Sequence, residues 1–313
     1  MKGRAEDKMP IVRYIKCGLA AACALAASGA GPAAAILKGP EGEEAASAFV
    51  APEAEGASIE IPSLAFSVAQ LECFRGNELI GRATGFFYAA GGDVYLITSR
   101  HVVLEEEAGH RPDKLKLRLH TDASDIRRNG VYVVPLYDRP GRRLWLEHPA
   151  HGAAVDVVAI PLNASRLRSE FVVTPFGPEN HIPEEAVIQV GEDVVVIGYP
   201  LGLHDVEYNL PLVGRGTLAS FYPIPFEGHP YFLIECQLHA GCSGSPVLTR
   251  PGGVMQTRGA KLNLYLSTGI YLLGVNSARV ERDTRRGGEE RLGLNAVWFT
   301  YLIPEIISQE VGE

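Results

Sequence analysis

Short runs of apolar, β-branched and aromatic residues follow one another from about residue 65 onward, separated by Gly, Pro, Asp and Asn. Such side chains suit a pleated, half-buried sheet and the residues between them suit turns, so the pattern predicts short β-strands. A loop at 163–180 separates two groups of runs. The first group includes 114–120 and 143–146, and the second includes 231–235 and 265–280. Short strands at this spacing are typical of a β-sandwich or a β-barrel.

One helix is predicted, at 300–310, where Leu302, Ile303, Ile306 and Ile307 recur at the spacing of a single helix face. No long amphipathic runs alternate with the strands, so a doubly wound α/β fold is disfavoured. The predicted class is therefore all-β with a short C-terminal helix.

The first 35 residues have the layout of a secretory leader. A basic stretch ends at Lys16, an Ala-rich apolar stretch begins at Cys17, and three alanines end at Ala35. We expect cleavage near Ala35 and a secreted or periplasmic protein. An uncleaved, weak membrane anchor is the alternative, although Pro32 and the many small residues make 17–35 a poor spanning helix.

Residues 36–64 are rich in Glu, Ala, Gly, Ser and Pro. Few of these side chains could offset the entropy lost on ordering, so a disordered acidic linker is predicted. The loop at 163–180 then divides the remainder into an N-terminal half at 65–170 and a C-terminal half at 171–313, which carries the terminal helix.

Charge and cysteine content exclude several classes of function. The net charge of −8 argues against nucleic acid as a partner, and against a membrane once the leader is removed. Five cysteines without a C-x-x-C pair are too few for a disulfide scaffold and form no Cys-based zinc module. His148 and His151 flank a loop without further ligands, so no metal is expected. Cys236 and Cys242 are either a disulfide or, as we favour, two buried thiols.

The segment most informative about chemistry runs from Gly241 to Pro246 and reads Gly-Cys-Ser-Gly-Ser-Pro. Its small residues allow a tight turn that presents the Ser243 hydroxyl. The same turn aims the backbone N–H groups of Gly241 and Ser243 at one point, as an oxyanion hole requires. Because a serine hydroxyl is a weak nucleophile, a base oriented by a carboxylate must lie beside it.

Two other segments supply that base and that carboxylate. His101 ends the run Leu-Ile-Thr-Ser-Arg-His, and Asp156 begins the run Asp-Val-Val-Ala-Ile-Pro-Leu. The chain order is therefore His101, Asp156, Ser243. In α/β-hydrolases the histidine follows the serine, and in subtilisins the aspartate precedes the histidine, so neither class fits.

These segments, in this order, resemble the trypsin-like (chymotrypsin-fold) serine peptidases, whose usual patterns are Thr-Ala-Ala-His, Asp-Ile-Ala-Leu and Gly-Asp-Ser-Gly-Gly-Pro. The chain is similar over 66–310 to bacterial secreted members, such as the catalytic domain of high-temperature-requirement proteases. The resemblance implies a double six-stranded β-barrel, with the N-terminal barrel at 65–170, the C-terminal barrel at 171–313 and the site between them. It also implies peptide-bond hydrolysis by a His101–Asp156–Ser243 triad through an acyl-enzyme, without a cofactor. No PDZ domain is expected after the helix.

The chain departs from this pattern at Cys242, where vertebrate digestive enzymes have an aspartate that pairs with a new N-terminal amine. Activation of that kind is therefore not expected. A cysteine nucleophile of the viral 3C-like kind is the alternative. There, however, the cysteine directly precedes a glycine, and in this chain it is Ser243 that precedes Gly244.

The resemblance also points to a substrate pocket. It places Gln237 at the base of the S1 pocket and Gly274 and Asn276 in its wall. Because no acidic residue stands at the base, we expect a small or medium uncharged substrate side chain.

The expected function is that of an exported serine endopeptidase acting on protein or peptide substrates. The alternative is a catalytically idle protein of the same fold that acts as a binding module. Cys242 and the lack of a visible activation device motivate this alternative, whereas the intact set of histidine, aspartate and serine favours the enzyme.

Overall fold

The computed structural model describes residues 12–16, 63–139, 141–184, 186–249, 254–257, 264–266, 270–283 and 289–308. The first described element is a short strand, β1 (Val12–Lys16). The predicted leader (1–35) and linker (36–64) otherwise lie outside the described residues, apart from the start of a short 3-10 turn at Ser63–Phe66. In the part of the chain described, no helix is long and apolar enough to cross a membrane.

The first sheet has six strands: β2 (Val68–Arg75), β3 (Glu78–Ala90), β4 (Asp93–Thr98), β5 (Lys114–His120), β6 (Asn129–Pro135) and β9 (Val158–Leu162). Their order in the sheet is β6-β5-β2-β3-β4-β9. Two shorter strands, β7 (Tyr137–Arg139) and β8 (Arg142–Arg143), form a ribbon beside it. The turn between β3 and β4 uses Gly91 and Gly92 at φ of 61° and 98°, a conformation that glycine adopts without steric cost.

The second sheet closes on itself. Its strands are β11 (Asp193–Gly198), β12 (Leu212–Leu218), β13 (Tyr231–Glu235), β14 (Pro246–Thr249), β17 (Leu272–Asp283) and β18 (Glu289–Phe299). They follow the order β17-β14-β11-β12-β13-β18, and β17 also pairs with β18, which completes a six-stranded barrel. The outer strand β1 is added to this sheet by antiparallel pairing with Ala278–Arg282 of β17. A separate small sheet joins β10 (Ala186–Val187), β15 (Val254–Thr257) and β16 (Leu264–Leu266).

Three apolar clusters account for this arrangement. One fills the first sheet and includes Leu71, Leu96 and Leu117, and another fills the second and includes Phe232 and Phe299. The remaining cluster takes residues from both sheets, among them Phe86, Tyr88, Val275 and Trp298, together with the C-terminal helix. Because this cluster removes apolar surface from water only when the two barrels are docked, it holds them against each other.

The described residues contain three short α-helices: α1 (Arg100–Val103), α2 (Ala164–Glu170) and α3 (Leu302–Ile307). The C-terminal helix was predicted, and all four of its apolar side chains are buried. The expectation that it is the only helix was wrong. Asn163 caps α2 by accepting a hydrogen bond from the backbone of Arg166 at 2.9 Å, but only Leu167 of α2 is buried, so this helix has almost no apolar periodicity.

Two predicted strands also differ from the structure. The run at 265–280 is not one strand, because β16 ends at Leu266 and β17 begins at Leu272. The run at 143–146 is not a continuous strand: β8 ends at Arg143, and Leu146 forms an isolated bridge with Ala159. The all-β class and the arrangement as two barrels with a short C-terminal helix are confirmed.

The buried histidines predict how stability depends on pH. His120 lies between the barrels, where its ring donates to the Tyr208 carbonyl at 2.7 Å, and burial lowers its pKa. Burial likewise lowers the pKa of His110 and His181. The folded protein therefore binds these protons more weakly than the unfolded chain, and the free energy of unfolding should fall as the pH drops below about 6.5.

In urea titrations at pH 7.5 and 5.5, His120→Asn should lose less stability between the two values than the unchanged protein. The control is His239→Asn, since the His239 side chain is exposed and should leave the pH dependence unchanged. An equal loss of stability in His120→Asn and the unchanged protein would contradict this reading.

Candidate active site

His101 and Asp156 form a buried pair. Strand β4 ends at Thr98, so His101 lies in the turn of helix α1 that follows it, and its side chain is buried. The ring N–H at Nδ1 donates to Asp156 Oδ2 at 2.7 Å, and the His101 backbone N–H donates to Oδ1 at 2.9 Å. Both carboxylate oxygens are thus bound, which fixes the orientation of the ring and leaves Nε2 as the acceptor nitrogen.

The charge of Asp156 is stabilised despite its burial. The residue lies just before β9, between the buried side chains of Val155 and Val157. Burial by itself raises the pKa of this carboxyl, but the charge of His101 and hydrogen bonds from His101 and Ser277 outweigh it and lower the pKa. Asp156 is therefore ionised at neutral pH.

Ser277 links Asp156 to Ser243. The Ser277 hydroxyl donates to Asp156 Oδ2, and the Ser277 carbonyl accepts a hydrogen bond from Ser243 Oγ at 3.3 Å. The pairing of β17 with β18 shifts register between Asn276 and Ala278, so Ser277 is the extra residue of a β-bulge. Bulges re-aim side chains next to active sites. Sequence reasoning missed this role, for which the only sign was a pair of polar residues in an apolar run.

The turn around Ser243 depends on two glycines. Gly241 and Gly244 have φ of 95° and 83°, which other residues rarely adopt. A Cβ at Gly244 would lie 2.2 Å from the Thr84 carbonyl oxygen and from Thr98 Oγ1. Within the described residues, no acceptor is bound by the N–H groups of Gly241 and Ser243, the two predicted oxyanion donors.

Ser243 and His101 are not hydrogen-bonded to each other. Both side chains are buried, at 4% and 1% exposure, and Nε2 of His101 makes no hydrogen bond to any described residue. The Ser243 hydroxyl donates instead to Ser277. Ser277 therefore contacts the side chains of both Asp156 and Ser243, and Asp156 in turn contacts His101.

The residues predicted for the substrate pocket lie in different surroundings. Gln237 is exposed. Gly274 faces β18, because a Cβ there would lie 2.0 Å from the Trp298 carbonyl oxygen. Asn276 is buried, and its side chain donates to the Cys242 carbonyl at 2.8 Å. The S1 pocket itself stays a prediction.

The described cysteines form no disulfide with one another, and the histidines at 148 and 151 contact each other and a glutamate. Cys236 and Cys242 are buried and not bonded to each other, and burial raises the pKa of Cys236. His148 stacks on His151 and contacts Glu305 Oε2 at 3.0 Å. No group of three or more metal-ligating side chains occurs within the described ranges.

Two docked β-barrels with a buried histidine–aspartate pair and a glycine-flanked serine at their junction are the architecture of the chymotrypsin-fold peptidases. The family model described as the trypsin-like peptidase domain matches residues 83–255. The chain therefore belongs to the trypsin-like serine endopeptidases. No curated protein sequence matches it.

Solved structures to which this chain is similar include two of Rv3671c from Mycobacterium tuberculosis in its inactive form. A serine-to-alanine mutant is 15% identical, with 78% of this chain and 85% of that chain covered and a TM-score of 0.41. The other is 16% identical, with coverage of 80% and 90% and a TM-score of 0.38. The serine endoprotease from Yersinia pestis is 13% identical, with 78% of this chain and 62% of that chain covered and a TM-score of 0.45.

The close approach at Gly244 predicts a large loss of stability on substitution. Gly244→Ala should lower the free energy of unfolding by about 3 kcal/mol, because the new methyl group meets backbone and the positive φ adds strain. Gly228→Ala is the matched control, since Gly228 has φ of 79° with nothing within 4 Å of an added Cβ. It should cost about 1 kcal/mol, from backbone strain alone. Urea titration measures both, and equal losses would contradict the steric account.

Proposed function

We propose that the protein is an exported serine endopeptidase that uses Ser243 as nucleophile, His101 as general base and Asp156 as the group that orients the base. One observation carries this assignment: a continuous set of hydrogen bonds runs from His101 through Asp156 and Ser277 to Ser243. This set joins a nucleophile, a base and an orienting carboxylate, which are the three groups that acyl transfer requires.

Acylation begins with rotation of the Ser243 hydroxyl from the Ser277 carbonyl to Nε2 of His101. The ring then accepts the hydroxyl proton while Oγ attacks the carbonyl carbon of the scissile peptide bond. The negative oxygen of the tetrahedral intermediate accepts hydrogen bonds from the backbone N–H groups of Gly241 and Ser243. The C–N bond breaks as His101 returns the proton to the leaving amine.

Deacylation repeats these steps with water. His101 removes a proton from the water, the resulting hydroxide attacks the ester carbonyl, and the proton passes to Ser243 Oγ as the ester bond breaks. Asp156 stays ionised throughout and stabilises the protonated ring. Its hydrogen bonds from the His101 backbone and from Ser277 supply the compensation that a buried charge needs.

Labelling with an alkyl fluorophosphonate tests this proposal. Protein beginning at Ile36 should be labelled and should cleave casein, and Ser243→Ala should lose both because no hydroxyl remains to attack. Asp156→Asn should slow casein cleavage by about 10⁴-fold, because the histidine tautomer is no longer fixed. The control is Cys242→Ser, which should still be labelled at Ser243.

Two outcomes would overturn the proposal. Labelling that survives in Ser243→Ala but is lost in Cys242→Ser would identify a cysteine nucleophile. No labelling of folded wild-type protein between pH 6 and 9 would favour the idle binding module.

Export is a separate part of the proposal and is supported by the sequence. The basic stretch ending at Lys16, the Ala-rich stretch and Ala35 fit a leader that is removed. Cleavage after Ala35 would also remove β1, yet β17 would keep its pairing with β14 and β18. The closed barrel therefore does not depend on the leader.

In a bacterial host, expression of the full chain followed by fractionation and mass spectrometry should give a secreted or periplasmic protein that begins at Ile36. Replacing Leu19 and Leu25 by Arg should keep the chain inside the cell and uncleaved, because the apolar stretch is interrupted. A wild-type chain that retains Met1 in the cytoplasm would contradict export.

A further inference from the structure

Four consecutive carbonyl groups of the nucleophile turn, from Ala240 to Ser243, are held by donors from elsewhere in the chain. The acceptors and their donors are Ala240 O with Leu201 N at 2.5 Å, Gly241 O with Thr84 Oγ1 at 2.7 Å, Cys242 O with Asn276 Nδ2 at 2.8 Å, and Ser243 O with Thr84 N at 3.0 Å. No peptide unit of the turn is left to rotate freely.

These bonds fix the N–H groups as well as the carbonyls. In a planar trans peptide the C=O and the following N–H point in opposite directions. The donor to the Cys242 carbonyl therefore sets the direction of the Ser243 N–H, and the donor to the Ala240 carbonyl sets that of the Gly241 N–H. One of these two donors is a side chain, the amide of Asn276.

The Asn276 side chain lowers the stability of the folded protein. It is buried, and its Oδ1 has no hydrogen-bond partner among the described residues. A buried acceptor without a partner destabilises a protein, and an apolar residue of similar shape would avoid that cost. Since the Cys242 carbonyl also accepts from the Ser245 N–H at 3.1 Å, losing Asn276 would not leave that carbonyl unpaired.

We propose that Asn276 is a positioning residue that holds the Cys242–Ser243 peptide so that the Ser243 N–H is preformed as an oxyanion donor. The inference rests on the proposed function and extends it. It also accounts for the absence of a carboxylate at Cys242: the turn is held from β17 by a neutral amide, and no newly formed N-terminus is needed.

Thr84 supports the neighbouring peptide from the other barrel. Its hydroxyl donates to the Gly241 carbonyl and accepts from the Tyr199 N–H at 3.0 Å. The hydroxyl is therefore committed at both ends, and a serine at this position can make the same two bonds whereas a valine can make neither.

The test compares fluorophosphonate labelling kinetics of wild-type protein and Asn276→Leu. The maximal labelling rate should fall about 10- to 100-fold. This fall is no larger than the one that removal of an entire oxyanion-hole donor causes. The concentration giving half that rate should not change, because the donor acts in the transition state and not in binding. The urea midpoint of unfolding should be no lower than that of wild type.

Asn295→Leu is the matched control. Asn295 is also buried, and its Nδ2 donates to the Cys236 carbonyl at 2.7 Å, outside the nucleophile turn. It should keep the wild-type labelling rate. An equal fall in both variants would show general loosening of the barrel and would overturn the proposal, as would a wild-type rate in Asn276→Leu.

If Asn276→Leu does not fold, Asn276→Ala decides the question, because it also removes the amide donor to the Cys242 carbonyl but adds no bulk at the buried site. A slow labelling rate is expected, and a wild-type rate in folded Asn276→Ala would overturn the proposal. If wild-type protein is not labelled at all, the proposed function fails and this inference falls with it. If wild type is labelled and the variants match it, only this inference fails.

Discussion

The structure depends on a direct backbone contact between the two barrels at Gly244. There the turn of the second barrel that carries Ser243 lies so close to Thr84 and Thr98 of the first barrel that no side chain fits between them. The same junction carries the hydrogen bond from the Thr84 N–H to the Ser243 carbonyl. Since His101 follows Thr98 closely in the chain, this contact helps to set the distance between His101 and Ser243, the proposed base and nucleophile, which lie on different barrels.

Ionisable residues that follow Thr98 in the chain are buried and paired. Helix α1 carries two buried ionisable residues in succession, and each pairs with a carboxylate from the segment that leads into β9. Arg100 contacts Glu147 Oε1 at 3.1 Å, and His101 contacts Asp156. The segment bearing Asp156 is thus held at two points. Paired and hydrogen-bonded charges tolerate a dry environment, in which the interaction between Asp156 and a protonated His101 is stronger than in water.

Ser243, His101 and Asp156 could be singled out from the sequence, because each lies in a short local pattern of residue types. The strand pattern likewise gave the all-β class. The role of Ser277 was not predictable, since it arises from a β-bulge, and a one-residue change of register leaves no local mark. The helix α2 was missed because a single buried leucine gives no periodicity. Asn276 was assigned to a pocket wall by resemblance, although its amide faces the turn.

The bulge also explains how two neighbouring residues of one strand serve the same site. In a regular strand Asn276 and Ser277 would point to opposite faces of the sheet. With the bulge between them, Asn276 contacts the Cys242 carbonyl and Ser277 contacts Asp156. The Ser277 carbonyl, meanwhile, holds the Ser243 hydroxyl in its resting position. A single irregularity in β17 therefore ties Asp156, the Ser243 hydroxyl and the Cys242–Ser243 peptide to one short segment, so that any shift of this segment displaces all three together.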